Sequence, residues 1–161
     1  MNKVLVLGGK GQLGLSLNSV APDFVFLGSV EMNVLDHEAV RGYFESHAYD
    51  YVINCSAYTA VDLAEDQVQQ AFKLNAYAVE FLAQMSMDFG FKLIHISTDY
   101  VFSGSGSVPY KETDPVNPQT VYGQSKYKGE ELLMNSDAQD YLIIRTSWLF
   151  SEFQNNFVKH T

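Results

Sequence analysis

The chain has 161 residues, 47% of them apolar, which is enough for one domain with a core of its own. Ten basic residues against 19 acidic ones leave a formal net charge of −9, which argues against a broad basic surface for nucleic acid. A single cysteine, Cys55, excludes an internal disulfide and a cysteine-based metal cluster.

Residues 3–7 form a short apolar, β-branched run that predicts a buried strand. The run is too short for a secretory signal, and glycines follow it where a cleavage site would stand. No apolar run is long enough to span a bilayer. The expectation is a cytoplasmic protein without a membrane partner, and Asn54-Cys55-Ser56 is then a chance match to the glycosylation pattern.

Gly8-Gly9-Lys10-Gly11-Gln12-Leu13-Gly14 follows the first strand directly, and a short helix opens at Gln12 and ends at Ala21-Pro22. Gly8, Gly11 and Gly14 give G-x-x-G-x-x-G; Gly9, Gly11 and Gly14 also give G-x-G-x-x-G. Between a strand and a helix, such a loop supplies a tight turn, close backbone approach to a pyrophosphate and close packing of helix on strand. It is not a triphosphatase loop, because Leu15 stands where the lysine would follow Gly14. Residues 24–27 predict a second strand, with no acid at its end and Glu31 just beyond, which leaves the choice between NAD and NADP open. Residues 31–34 suggest a very short third strand. Asp36 is placed either to cap a helix over 37–46 or to contact an adenine.

Residues 51–55 predict a strand, residues 64–89 one long helix ended by Gly90, and residues 92–97 another strand. A loop rich in glycine, serine and proline then runs to about residue 120, a length more often functional than idle. A helix over about 121–135 and a strand over 141–145 complete the pattern. Strands alternate with helices and are apolar throughout, which predicts an α/β fold: a doubly wound, mostly parallel, Rossmann-like sheet with helices on both faces, the first strand central and the ligand crevice at the carboxyl ends of the strands.

Those ends carry hydroxyls and small residues: Asn54 to Asp62 after one strand, Ser97-Thr98-Asp99-Tyr100-Val101-Phe102 after another, and Arg145-Thr146-Ser147-Trp148 after the last. His95, Ser97 and Asp99 do not make a hydrolase triad, since neighbouring side chains of one extended strand do not converge and no G-x-S-x-G elbow exists. His95 is expected in the core, and Asp62, Glu65 and Asp66 on a solvated first turn of a helix. Tyr122 and Lys126 stand four residues apart and share a helix face. A lysine ammonium beside a phenol is expected to lower the phenol's pKa from about 10 and make it a proton-transfer group.

The glycine loop, the hydroxyl-bearing strand end and the Tyr-x-x-x-Lys pair together resemble the extended short-chain dehydrogenase/reductase superfamily. Within it, Ser97-Thr98-Asp99-Tyr100-Val101-Phe102, Tyr122-Gly-Gln-Ser-Lys126 with Gly129-Glu130, the segment from Thr59 to Glu65, and Arg145-Thr-Ser-Trp148 with Asn155-Asn156-Phe157 look like the dTDP-4-dehydrorhamnose reductase family. The resemblance implies NADPH or NADH as cofactor and a dTDP-linked 4-keto-6-deoxy sugar as substrate. It implies Thr98, Tyr122 and Lys126 as catalytic residues. It implies a cofactor held by Gly8, Gly11, Gln12, Leu13, Gly14, Asn33, Val34, Ala57, Tyr58, Thr59, Asn75, Tyr122 and Lys126, and a substrate held by Thr98, Asp99, Tyr100 and Trp148. No metal is implied in the site. Asn75 is either a holder of a proton-relay water or a helix kink or cap, and a lone tryptophan such as Trp148 at a strand end is, taken alone, more often a core residue.

Two features depart from that family. Its members are longer, with a C-terminal part that binds the nucleotide-sugar, so residues 1–161 are expected to be the dinucleotide-binding domain alone, ending inside a helix opened near Asn155. Some members dimerise through a metal held by a glutamate in the first helix, where this chain has Ser16, so a homodimer of that kind is in question. Two other readings stand beside a reductase: a non-catalytic subunit resembling the beta subunit of methionine adenosyltransferase, and another nucleotide-sugar reductase or epimerase of the same superfamily.

Overall fold

A computed structural model describes residues 2–156 and 158. Five parallel strands form one sheet in the order β2-β1-β3-β4-β5: β1 (Val4–Leu7), β2 (Val25–Leu27), β3 (Tyr51–Asn54), β4 (Lys92–Thr98) and β5 (Tyr141–Thr146). After β2 the winding reverses, so the carboxyl ends of β1 and β3 flank a topological switch point, where parallel sheets leave a crevice. The expected doubly wound sheet is present. The short strand expected at 31–34 is not: Met32 N–H donates to the Gly28 carbonyl and Asp36 N–H to Asn33, which makes a turn. Its apolar residues Met32 and Val34 are nevertheless buried in the core.

Leu5 and Leu7 of β1, Val52 of β3 and Leu93 of β4 pack with Val40 and Phe44 of α2 (His37–Ser46), Leu82 and Met85 of α5 (Ala78–Phe89) and Leu133 of α6 (Val121–Met134). At about 25 cal/mol per Å² of apolar surface, each such side chain contributes roughly 1.5–3 kcal/mol when fully buried. Asp36 caps α2 as expected, accepting from Ala39 N–H at 3.0 Å. Gly90 ends α5 in the left-handed region, φ 72°, where a side chain would be strained. The edge strand β5 alternates: Tyr141 and Ile143 join the core, whereas Leu142 and Ile144 are exposed.

The single long helix expected over 64–89 is broken into α3 (Val61–Asp66), α4 (Val68–Phe72), a π-helical segment (Lys73–Tyr77) and α5. The cause is tertiary. The Asn75 carbonyl is seated against Gly129 of α6, so close that a Cβ there would collide with it. The extra residue per turn of a π segment turns Asn75 toward α6 and toward the loop after β3. Glu65 is exposed, yet it is not merely solvated: its Oε1 accepts from Val121 N–H at 2.9 Å, supplementing the Thr120 cap of α6. Among the described residues no helix is long and apolar enough to cross a membrane. The helix expected beyond Asn155 falls largely outside the described residues.

Candidate active site

A crevice of about 890 Å³ opens at the carboxyl ends of β1, β3, β4 and β5. Its floor is the glycine loop and the start of α1 (Gln12–Val20). Gly8 sits at φ +74° with its Cα facing the chain after β3; a Cβ would lie 2.7 Å from Ser56 N and 2.8 Å from the Cys55 carbonyl carbon. At Gly14 a Cβ would lie 2.6 Å from both Gly8 O and Gly9 Cα. The loop therefore tolerates no side chain at either place. Gly11 is the N-cap of α1 and offers no side-chain bond, and the first turn holds no acid. The first N–H groups of α1 thus face the crevice without a side-chain cap, unlike α2 and α6, which Asp36 and Thr120 close. Unpaired N–H groups at a helix start, with bare backbone around them, suit a phosphate. On this ground a dinucleotide fits the residues present.

Thr98, Asp99, Tyr100, Tyr122, Lys126 and Trp148 line the opposite wall, with Gly8, Gly11, Gln12, Leu13, Gly14, Ala57 and Thr59 on the cofactor side. Four expected contacts lie elsewhere. Asn33 is exposed and accepts from Leu35 N–H, and Val34 is in the core. Tyr58 turns outward to Gln67, its hydroxyl donating at 3.0 Å. Asn75 is fully buried behind the wall. Its Oδ1 accepts from Tyr58 N–H, and its Nδ2 donates to the Tyr58 carbonyl and to Ser125 Oγ, at 2.8, 3.0 and 2.9 Å. It lies in the π-helical segment and ties the loop after β3 to α6.

The chemistry-bearing wall is built by α6. Thr120 accepts from Gly123 N–H at 3.0 Å and fixes where the helix begins. A Cβ on Gly123 would collide with the Tyr100 carbonyl, so the first turn of α6 lies directly on the segment after β4. Tyr122 meets Tyr100 edge-on, ring centroids 5.5 Å apart. Thr98 Oγ1 donates to Asp99 Oδ1 at 3.2 Å and accepts from Tyr100 N–H at 3.2 Å. Burial pushes the Tyr122 phenol up, the Thr98 hydroxyl pulls it down, and Asp99 and Tyr100 push it up again, for a net rise. This corrects the expected direction. Lys126 is not among the groups acting on the phenol. It is 2% exposed and donates from Nζ to the Ile96 carbonyl at 2.6 Å. Burial pushes the Lys126 ammonium down to about 8, against the pull of Glu130 and Cys55.

Sequence reasoning overlooked part of the wall. Cys55, at the end of β3, lines the crevice near Lys126, and burial pushes its thiol up to about 12. Ile96 joins from β4, beside Ser97 and Thr146, which already stood among the hydroxyls expected at the carboxyl ends. Leu149, Gln154, Asn155 and Asn156 come from the segment after β5, which folds back until Gln154 Nε2 donates to the Lys10 carbonyl at 3.1 Å. No local pattern announces that return. Trp148 is 69% exposed at φ +52°, a side chain displayed at the mouth and not a core residue. His95 is in the core as expected, its Nδ1 3.3 Å from Asn54 Nδ2. Asn54 is 1% exposed and committed to Ser56 and His95, so it is no glycan acceptor in the folded chain.

A doubly wound sheet, a glycine floor at its switch point, and a wall of Thr98 at the end of β4 with Tyr122 and Lys126 on α6 define a domain of the extended short-chain dehydrogenase/reductase type. A family model described as "RmlD substrate binding domain" matches residues 1–161, and the chain belongs to that family. It is 41% identical over 163 residues to the spore coat polysaccharide biosynthesis protein SpsK of Bacillus subtilis, covering 99% of this chain and 57% of that protein. It is 40% identical over 164 residues to the dTDP-4-dehydrorhamnose reductase of Aggregatibacter actinomycetemcomitans, covering 99% and 55%. Among solved structures, the dTDP-4-dehydrorhamnose reductase of Bacillus anthracis in complex with NADP superimposes with a TM-score of 0.94 at 35% identity, over 99% of this chain and 58% of that one. The chain thus spans a little over half the length of the relatives it matches.

Proposed function

We propose that the chain carries the cofactor site and proton donor of a reductase that uses NADPH or NADH to convert dTDP-4-dehydro-L-rhamnose to dTDP-L-rhamnose. The observation that carries this reading is the convergence of Thr98, Tyr122 and Lys126 on a crevice floored by the uncapped start of α1. When bound, the dihydronicotinamide supplies a hydride to the C4 carbon of the sugar. The chain's residues do the rest. The N–H groups of Gln12 and Leu13 hold the pyrophosphate, and Lys126 holds the nicotinamide ribose. Tyr122 gives its phenolic proton to the carbonyl oxygen as that oxygen gains charge. The raised pKa means that Tyr122 enters the reaction protonated, as a donor must. Thr98 hydrogen-bonds the same oxygen and stabilises the charge that develops on it. Asp99, Tyr100 and Trp148 border the sugar.

On this reading residues 1–161 are the dinucleotide-binding domain, and the rest of the relatives' length supplies the wall that closes over the nucleotide-sugar and excludes water. A pyridine nucleotide and a nucleotide-sugar as reactants support a cytoplasmic reaction. Titration of the chain with NADPH and NADH, followed by calorimetry, should show saturable binding; none with either would end the proposal. In a full-length form Tyr122→Phe should lower kcat by about 10²–10⁴ with cofactor affinity nearly unchanged. Undiminished turnover would remove Tyr122 from the mechanism.

A further inference from the structure

Lys126 is an unusual place to keep a positive charge. Its side chain is buried, and its ammonium donates to the neutral Ile96 carbonyl. A lone ammonium in such a site tends to lose its proton. One turn further along the same face of α6 stands Glu130, which is fully buried as well. A buried carboxylate has the same difficulty with the opposite sign, and here it is met from two other elements. Ser97 of β4 donates to Glu130 Oε1 at 2.5 Å. Arg145 of β5 grips both oxygens, Nε to Oε1 at 2.9 Å and Nη2 to Oε2 at 2.6 Å. Arg145 is held in turn by the Phe102 ring, 4.9 Å from its guanidinium carbon, and by the Glu112 carbonyl.

We propose that Glu130 is a positioning residue that keeps Lys126 an ammonium ion inside the fold, and that Ser97 and Arg145 keep Glu130 ionised one helical turn away. The deepening rests on the reading of Lys126 as the residue that holds the cofactor ribose. Around Lys126 the ionisable groups are Tyr122 and Glu130 on its own helix, His95 on β4 and Cys55 after β3. The imidazole is driven well below its usual value and the thiol is pushed up, so both are neutral near pH 7. The phenol is neutral too. Glu130 is therefore the anion among these four, while Asp99, on the same crevice, acts on Tyr122. Pairing it to Arg145 is more than a structural clip, because a clip alone would be indifferent to the charge on Lys126.

The test reads the Lys126 charge directly. Lysine labelled with ¹³C at Cε is titrated in the chain by NMR, with the Lys126 signal assigned by its loss in Lys126→Met. The wild-type midpoint is expected near 8, as burial sets it. In Glu130→Gln it should fall by about one pH unit or more, and in Arg145→Met it should fall too, because the buried carboxylate then loses the cation that keeps it ionised. A pair that only clips α6 in place predicts a rise in both variants, because loosening admits water and moves Lys126 upward. An unchanged or raised midpoint in Glu130→Gln overturns the proposal. Should that variant fail to fold with Arg145 left unpaired, Glu130→Gln/Arg145→Met removes both charges and must show the same fall. NADPH affinity measured against pH on the same samples should weaken about one unit earlier in Glu130→Gln than in wild type; coincident profiles would also overturn it. If wild type bound no NADPH while the Lys126 midpoint still fell, the cofactor reading would be lost and the charge pairing would stand.

Discussion

The two walls of the crevice are made in opposite ways. The β1 side is backbone: Gly8, Gly11 and Gly14 leave room for a ligand by having no side chains, and α1 leaves its first N–H groups uncapped. The β4–β5–α6 side is side chains, with charge behind them: Ser97, Thr98 and Lys126 line the crevice, and the Glu130–Arg145 pair backs them. The first wall can bind an anion without changing its own charge. The second must keep charges alive in a poor solvent, so each depends on the next. A backbone wall should fail through sterics and be indifferent to pH. A charged wall should fail through unpaired charge and respond to pH.

Arg145→Ala should have the largest effect on stability. It leaves the Glu130 carboxylate buried with only Ser97 and Lys126 near it, a loss of about 3–5 kcal/mol in urea unfolding. Replacing both members by Glu130→Gln/Arg145→Met should recover most of that, because neutral groups need no partner. If the double variant is no better than the single one, the second wall is held by shape and the contrast between the walls is wrong. On the other side, Gly8→Ala should lose roughly 2–4 kcal/mol, part from φ +74° and part from the clash with Ser56 and Cys55. The loss should be the same at pH 6 and pH 8.

The pH response sharpens the comparison further. The Lys126 pKa is lower in the folded chain, about 8, than in the unfolded one. Below 8 both states carry the proton and the folded state bears the full penalty. Above 8 the unfolded state binds more protons, so the contribution of this group to stability rises with pH. Cys55 acts in the opposite sense, losing stability as pH rises, but only above the ordinary thiol value of 9. Between pH 8 and 9 the Lys126 contribution should therefore show a gain of about 1 kcal/mol, absent in Lys126→Met. Cofactor affinity should move the other way over the same interval, falling as the ammonium is lost. The smallest effect belongs to neither wall: Asp36→Ala removes the α2 cap far from the crevice and should cost about 1 kcal/mol without altering NADPH binding.

Much of the scaffold was legible from short stretches. Strand–glycine–helix at residues 4–20, the Asp36 cap, the Gly90 stop, and Tyr122 and Lys126 on one helix face all depend on neighbours within a turn or a pleat. Periodicity, capping and glycine's access to positive φ act at that range, so those features are written locally. The site was partly legible for the same reason: carboxyl ends of parallel strands face a crevice whatever the loops do.

What the tertiary structure alone decided involves partners far apart in the chain. The long helix expected over 64–89 breaks because Asn75 meets Ser125 and Gly129 of α6, a contact across some fifty residues that no helical periodicity contains. Lys126 turns to Ile96 and not to the phenol, and Tyr122 is pushed up and not down, because burial outweighs a neighbouring charge that points elsewhere. Gln154 returns to Lys10, and Glu130 finds Ser97 and Arg145. Each is settled by desolvation and charge pairing, which depend on what surrounds a group in space and not on what adjoins it in sequence.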